Sequence, residues 1–191
     1  MPVLPIAQIG EPVLRAPTSE ISREALSTPE MQGHIDDLIE TMRHAKGAGL
    51  AANQAFLSLR LCVIEVSQNP RYPYKPDIPL TVLVNPRIEP LGDETFDNFE
   101  GCLSVPNLRG LVPRFTRIRL RAQDRHGAMI DKVLQGLSAG TFQHEVDHLD
   151  GLLFTDRVVD RKTLCTWEVF ERHYKAEFVE RAEALVARYG A

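Results

Sequence analysis

Two histidines and a glutamate form a compact pattern in the C-terminal third of the chain, at residues 143–148, which read QHEVDH. On a helix, residues four apart face the same way because each turn takes 3.6 residues. His144 and His148 are therefore suited to two corners of a tetrahedral metal site, with Glu145 beside a water that the metal activates. This combination predicts a metal-dependent hydrolase. The alternative is a histidine pair on a helix surface or in the core, with no ligand role.

The residues around this pattern predict the helix that it needs. Leu137, Phe142, Leu149 and Leu152 supply apolar positions on both sides of the histidines. Gly151 is suited to the C-terminal cap, where a left-handed backbone is common. The sequence therefore predicts a buried helix that presents its histidines to one side.

A hydrolytic metal site has three protein ligands and one open position, and the two histidines supply only two. From the residues alone, two sources of the third ligand remain possible. Downstream, Glu168, Glu171 and Glu177 belong to the polar face of an amphipathic helix. Upstream, Cys102 follows Gly101, and a thiolate there would be a strong, soft ligand.

Composition indicates one globular domain over residues 1–191. Hydrophobic residues make up 43% and charged residues 25% of the chain, which is ordinary for a soluble protein. The net charge of −4 does not favour a nucleic-acid partner, which would require a basic surface. No apolar run is long enough to span a bilayer, and the first residues lack the pattern of a secretory signal. We therefore expect a cytoplasmic protein.

The three cysteines are an odd number and lack the regular spacing of a disulfide framework. We therefore interpret them as free thiols in a reducing compartment. Cys62 lies in a strand-like apolar segment and Cys165 in a helical pattern, and each is expected to be a small core residue. Cys102 lies in neither a strand-like nor a helical pattern, so this interpretation does not apply to it.

The remaining pattern predicts antiparallel strands between two helices. Residues 1–27 are expected to form an extended arm. A helix should begin after Thr28, with Pro29 in its first turn, and end near Lys46. Residues 68–80 form a proline-rich loop, and one long helix is predicted over 163–189, docked on its own domain or, alternatively, on a partner. Strands are predicted over residues 59–66, 81–84, 116–122 and 128–134, the second closed by Asn85-Pro86, and residues 94–99 lead into the segment that begins at Glu100.

Three separated segments resemble the signature motifs of the peptide deformylases, in the same order. They are residues 47–54 (GAGLAANQ), 100–104 (EGCLS) and 143–148 (QHEVDH), and every fixed position of the family pattern is present. The departures are modest. Asn53 stands where many members have proline or threonine, Ala55 where a β-branched residue is common, and the proline-rich loop is longer than in compact members.

The resemblance implies an α+β fold, with antiparallel strands packed around a central metal-binding helix, an N-terminal helix and a long C-terminal helix. It implies a role in protein biosynthesis, the removal of the N-formyl group from the N-terminal formyl-methionine of new polypeptides with release of formate. The implied cofactor is one Fe²⁺ per chain, with Zn²⁺, Ni²⁺ or Co²⁺ as substitutes in purified material. The implied partners are a formyl-methionyl peptide or nascent chain and the ribosome surface. The apolar stripe of the C-terminal helix separately predicts, as the alternative to docking on its own domain, a second copy bound through that helix.

The resemblance also assigns residues. It implies that Cys102, His144 and His148 bind the metal and that Glu145 is the catalytic acid and base. Asp147 is either a partner of Arg114 or a plain surface carboxylate.

Further roles follow by the same resemblance. Gln54 and the backbone N–H of Leu103 would stabilise the oxyanion, and the backbone near Gly49 would pair with the substrate like an added strand. Arg109 would lie at the mouth of the pocket. The implied substrate contacts are Ala48, Gly49, Glu100, Gly101, Arg109, Leu137 and Thr141.

Two alternative functions remain at this stage. One is a zinc endopeptidase, and the other is an inactive family member that binds peptide N-termini. A purely structural metal site is disfavoured because it would need four protein ligands.

Overall fold

A computed structural model describes residues 2–67 and 73–190 of the chain. The first part of the predicted proline-rich loop, residues 68–72, lies outside the described residues. The helices are α1 (Arg23–Leu26), α2 (Pro29–His44), α3 (Gly136–Leu149), α4 (Phe154–Arg157), α5 (Trp167–His173) and α6 (Lys175–Tyr189). The strands are β1 (Gly49–Ala51), β2 (Leu61–Val66), β3 (Ile78–Pro90), β4 (Thr95–Cys102), β5 (Val105–Phe115), β6 (Arg117–Gln123), β7 (Met129–Gln135) and β8 (Cys165–Thr166). Short 3₁₀ turns occur at Pro12–Leu14, Ala52–Ala55 and Arg161–Thr163.

The strands form two antiparallel sheets with helix α3 between them. One sheet has the order β1-β2-β3-β6-β7, and the other has the order β4-β5-β8. Helix α3 contacts strands of both sheets and is buried over almost its whole length. This confirms the expected α+β fold around a central helix. No helix in the described part of the chain is long and apolar enough to cross a membrane.

The N-terminal part also follows the sequence. Helix α2 begins at Pro29 with the Thr28 side chain accepting a hydrogen bond from Met31 N, as predicted, and ends at His44. The preceding arm is fastened to the domain. Ala7 and Leu14 are buried, and Ala7 N donates to Gln54 O at 2.7 Å.

Strand β3 is longer than predicted, because Asn85-Pro86 does not end it. The register with β6 shifts between Val84 and Arg87, and Asn85 has a left-handed φ of 52°. This bulge absorbs a proline that cannot donate to the ladder. The Asn85 side chain exchanges two hydrogen bonds with the backbone of Ile21, at 2.8 and 2.9 Å, which holds the bulge against the N-terminal arm.

Two further sequence expectations were incomplete or wrong. Strand β5 was not predicted, because two prolines interrupt its pattern, yet it pairs with β4 from Thr95↔Phe115 onward. The single helix over 163–189 is wrong, since Tyr174 separates α5 from α6 with φ −119° and ψ −23°. Cys165 lies in β8 opposite Arg109, not in a helix.

The apolar stripe of the C-terminal helices docks on its own domain, as one of the two alternatives predicted. Phe170 and Phe178 are buried, with ring centroids 5.0 and 5.8 Å from that of Phe99 on β4. Tyr174 stacks on the same ring at 5.6 Å. This aromatic contact places α5 and α6 beside the end of β4 that carries the site.

Candidate active site

Helix α3 presents two histidines from adjacent turns. The rings of His144 and His148 have centroids 4.9 Å apart and are nearly perpendicular. The helix follows directly on β7 through Gly136, whose φ of 58° favours glycine, and is followed by Gly151 at φ 77°. Because α3 lies between the two sheets, its histidines are held by packing on several sides.

The third member of the cluster comes from the end of β4. Cys102 Sγ lies 3.3 Å from His148 Nε2, after a register shift between Glu100 and Cys102. Donor atoms of Cys102, His144 and His148 all lie within 4.8 Å of one another. Among residues 2–67 and 73–190, no other His, Cys, Asp or Glu group has such spacing. The downstream glutamates, the alternative source of a ligand, are not part of this cluster.

The electrostatics of the cluster fit a divalent metal. Burial opposes ionisation of the Cys102 thiol, but His148 and His144 outweigh it and lower its pKa to about 5. The thiolate is the form of cysteine that binds metals. A sulfur and two imidazoles suit first-row divalent ions, and a fourth position stays open because the cluster has three protein donors.

A buried ion-pair network orients His144. Its Nδ1 lies 2.8 Å from Glu100 Oε2, which makes Nε2 the nitrogen suited to a metal. Glu100 is held by two hydrogen bonds from Arg114, at 2.7 and 2.8 Å. Burial raises the pKa of Glu100, but Arg114 and His144 outweigh burial and hold that pKa well below its usual value.

Asp147 extends this network and is not a plain surface carboxylate. Arg114 Nη1 donates to Asp147 Oδ2 at 2.6 Å, and Arg157 Nη2 donates to Oδ1 at 2.7 Å. Arg114 is therefore held between two carboxylates in a buried position. The pairing of Asp147 with Arg114, one of the two sequence hypotheses, is present.

Glu145 lies against the glycine-rich strand β1. A Cβ built at Gly49 would fall 2.4 Å from both Cδ and Oε1 of Glu145, so only glycine leaves room for this carboxyl group. Its Oε2 is buried and has no hydrogen-bond partner in the described part of the chain. Burial raises the pKa of Glu145, an effect opposed by His144 and His148 and assisted by Cys102. Such a carboxyl is suited to accept and return a proton.

Gln54 brings an amide to the same place from the 3₁₀ turn after β1. Its Nε2 donates to Ser104 Oγ at 3.0 Å and lies 3.3 Å from Cys102 Sγ. Its Oε1 accepts from Ala51 N at 2.9 Å, which fixes the direction of the amide. Leu103 lines the same cleft, so the two residues that the resemblance assigns to the oxyanion lie near the cluster of Cys102, His144 and His148.

The cluster lies in a cleft of about 800 Å³. Leu137, an expected substrate contact, is not among the lining residues; it is buried with Phe99 and Phe170. Arg109, expected at the mouth of the pocket, lines the cleft and is 1% exposed. Its guanidinium lies 4.4 Å from the ring centroids of both Trp167 and Phe170. The other expected contacts do line the cleft: Ala48, Gly49, Glu100, Gly101 and Thr141.

The sequence interpretation did not assign several of the lining residues, among them Lys75, Asn98 and Gly140. Lys75 comes from the proline-rich loop, Asn98 from β4 and Gly140 from α3. The helical period offered a signal for Gly140, which is four residues before His144. No sequence signal indicated Lys75, because its place in the cleft depends on how the loop folds back onto the domain.

Comparison with known proteins agrees with the family resemblance of the three motifs. A family model described as polypeptide deformylase matches residues 3–164. The chain is 46% identical over 158 residues to "Peptide deformylase 2" of Ralstonia nicotianae, covering 83% of this chain and 88% of that protein. It is 46% identical over 155 residues to "Peptide deformylase 1" of Bordetella pertussis, covering 81% and 87%.

Solved structures agree. A class I type b peptide deformylase from Acinetobacter baumannii, bound to Met-Ala-Ser, aligns with a TM-score of 0.79 at 38% identity, covering 82% of this chain and 99% of that one. A peptide deformylase from Synechococcus elongatus in complex with actinonin aligns with a TM-score of 0.75 at 30% identity, covering 100% and 87%. These comparisons do not support the endopeptidase or the inactive alternative.

Proposed function

The chain belongs to the polypeptide deformylase family, and from that premise we propose which of its residues perform the reaction and which ion they hold. The protein is a metal-dependent hydrolase that removes the formyl group from an N-terminal formyl-methionine and releases formate. Residues 1–191 are proposed to act as one catalytic domain.

We propose that Cys102, His144 and His148 hold one Fe²⁺ ion, with Zn²⁺, Ni²⁺ or Co²⁺ as substitutes after purification. The observation that carries this proposal is the convergence of one sulfur and two imidazoles within 4.8 Å in the cleft. A bound divalent ion polarises a carbonyl oxygen and lowers the pKa of water. Glu100 supports the site by holding the ring of His144, while Arg114 holds Glu100 and is itself held by Asp147.

Glu145 is the proposed proton carrier. Its carboxylate accepts a proton from the attacking water and delivers it to the amine nitrogen as the C–N bond breaks. The buried Oε2 and the raised pKa support this role, because a raised pKa makes the carboxylate a better base and makes its protonated form easier to populate during turnover.

Gln54 Nε2 and the backbone N–H of Leu103 are the proposed donors to the formyl oxygen as it gains negative charge. Removing one donor of this kind typically costs about 10²–10³ in rate. The peptide main chain is proposed to lie along β1 at Gly49, since β1 is the edge strand of its sheet. Gly101 and Arg109 would bound the cleft on the opposite side.

The substrate indicates the cellular compartment and the partners of the enzyme. Because formyl-methionine marks newly made polypeptides, we propose that the protein acts in the cytoplasm, on nascent chains near the ribosome surface. Association of two copies through α6 stays a prediction. Sedimentation of the purified protein over a range of concentrations tests it.

One anaerobic experiment tests the core of the proposal. Formate release from formyl-Met-Ala-Ser is measured together with the metal content of the same sample, and Met-Ala-Ser without formyl serves as control. We expect about one iron per chain and formate from the formylated peptide only. A sample fully loaded with metal that releases no formate would refute the function, and cleavage of internal peptide bonds would favour an endopeptidase.

A further inference from the structure

Lys75 extends into the cleft from the loop that precedes β3. Tyr74, its neighbour, is buried and packs edge to face on Phe178 of α6, with ring centroids 5.3 Å apart. This contact fixes the loop at the point where Lys75 leaves it. Lys75 is half-buried, and its Nζ donates to Thr141 Oγ1 on α3 at 3.1 Å. A cation is therefore attached to the metal-binding helix three residues before His144.

The surroundings of this ammonium form a polar recess, which we call the side recess and define by Lys75, Asn98, Gly140 and Thr141. All four residues line the cleft, and Asn98 and Thr141 are buried. Gly140 contributes no side chain, and the space beside it is filled by its neighbours, since a Cβ there would lie 3.0 Å from the Phe96 ring and 3.7 Å from Asn98 Nδ2. The polar groups of the side recess are therefore the Lys75 ammonium, the Thr141 hydroxyl and the Asn98 amide.

The side recess lies within reach of the substrate's first side chain. Gly140 is four residues before His144, which corresponds to about 6 Å along the axis of the same helix face. In the proposed function the formyl carbon reacts at the metal-ligand cluster, and the first α-carbon is only two bonds away. A methionine side chain extends about 5 Å from its α-carbon, so its sulfur can enter the recess.

We propose that Lys75 determines specificity at this recess and that the enzyme accepts formyl peptides whose first residue is methionine sulfoxide. The inference rests on the proposed function. A thioether sulfur is a weak acceptor, whereas oxidation makes the side chain polar. An apolar wall would leave the sulfoxide oxygen without a partner at a cost in binding, whereas an ammonium offers a charge-assisted hydrogen bond.

The chemical step is the same for both substrates. Water adds across the formyl C–N bond, which breaks to give formate and the amine, and the sulfur is neither oxidised nor reduced. The difference between the two peptides is therefore confined to contacts of the first side chain, which a ratio of kcat/KM values isolates.

The test compares kcat/KM for formyl-Met-Ala-Ser and for the same peptide with methionine sulfoxide. For the wild type we expect the two values to lie within about tenfold of each other, since hydrogen bonding offsets the desolvation of the sulfoxide. Lys75→Met should lower the sulfoxide value by about tenfold to a hundredfold relative to the methionine value. Lys75→Arg should retain the wild-type ratio. Lys132→Met, at an exposed position on β7, is the matched control and should leave both values unchanged.

Each outcome decides the matter. If Lys75→Met and the smaller variant Lys75→Ala leave the ratio unchanged, or lower both values equally, Lys75 supports the loop only and the inference fails. A wild type that deformylates the methionine peptide but not the sulfoxide also refutes it, while the proposed function stands. If neither peptide releases formate, the proposed function itself fails and the inference fails with it.

Discussion

Gly49→Ala tests how closely the glycine-rich strand controls the catalytic carboxyl group. The new Cβ would lie 2.4 Å from Glu145 Cδ and Oε1 and 2.7 Å from Cγ, whereas ordinary contact begins at 3.4 Å. The carboxyl group must therefore move by about 1 Å, the difference between 3.4 and 2.4 Å. A misplacement of about 1 Å can cost about 10²-fold in rate. We expect kcat to fall by that order.

The fold should survive this substitution. Gly49 is not among the glycines with positive φ, so alanine can adopt its backbone. The atoms that the new methyl group meets belong to the far end of one flexible side chain. We therefore expect a melting temperature within a few degrees of the wild type and an unchanged metal content.

Gly33→Ala is the matched control on helix α2. A Cβ there meets nothing within 4 Å, and alanine inside a helix is favoured over glycine by about 0.5–1 kcal/mol. This variant should be slightly more stable and fully active. Formate-release kinetics at several peptide concentrations distinguish the causes, because a displaced Glu145 lowers kcat, whereas a methyl group that blocks the substrate raises KM. Near wild-type kcat in Gly49→Ala would refute the reasoning.

Four other predictions address the site and its support. Glu145→Ala should keep metal and fold but lose nearly all turnover, and substantial remaining formate release would remove this glutamate from the mechanism. Cys102→Ala should lower the metal bound per chain, and chelation should abolish wild-type activity; full metal occupancy of the variant would contradict the ligand assignment. Arg114→Met leaves buried carboxylates without the cation that they share and should destabilise the protein by about 3–5 kcal/mol in urea unfolding, whereas Arg119→Met, which removes an exposed ion pair with Asp131, should leave the stability nearly unchanged. Because the pKa of Glu100 is lowered in the folded state, its stabilising contribution is present above the usual glutamate pKa and is lost as the pH falls through the lowered value, so thermal unfolding in acid should follow this loss; a melting temperature that does not change with acidification would argue against it.

Local periodicity in the sequence predicted many of the helices and strands. The alternation in β6 correctly predicted the buried Ile118, Leu120 and Ala122, and the cap at Thr28 correctly predicted the start of α2. Such patterns are reliable because the helical and strand periods are set by backbone geometry alone. The same rules failed where tertiary contacts override them, as at the Asn85 bulge held by the N-terminal arm.

The spacing of His144 and His148 determined that two imidazoles share one helix face, and the residue types, together with the three family motifs, predicted hydrolytic and metal-dependent chemistry. The residues alone left the third member of the cluster open between Cys102 and the downstream glutamates; the family resemblance indicated Cys102, and the tertiary structure brings its sulfur to the two histidines. It also decided that Asp147 pairs with Arg114. The physical reason is that a helix fixes distances between neighbours in sequence, whereas contacts between distant segments depend on how strands pair, bulge and pack around that helix.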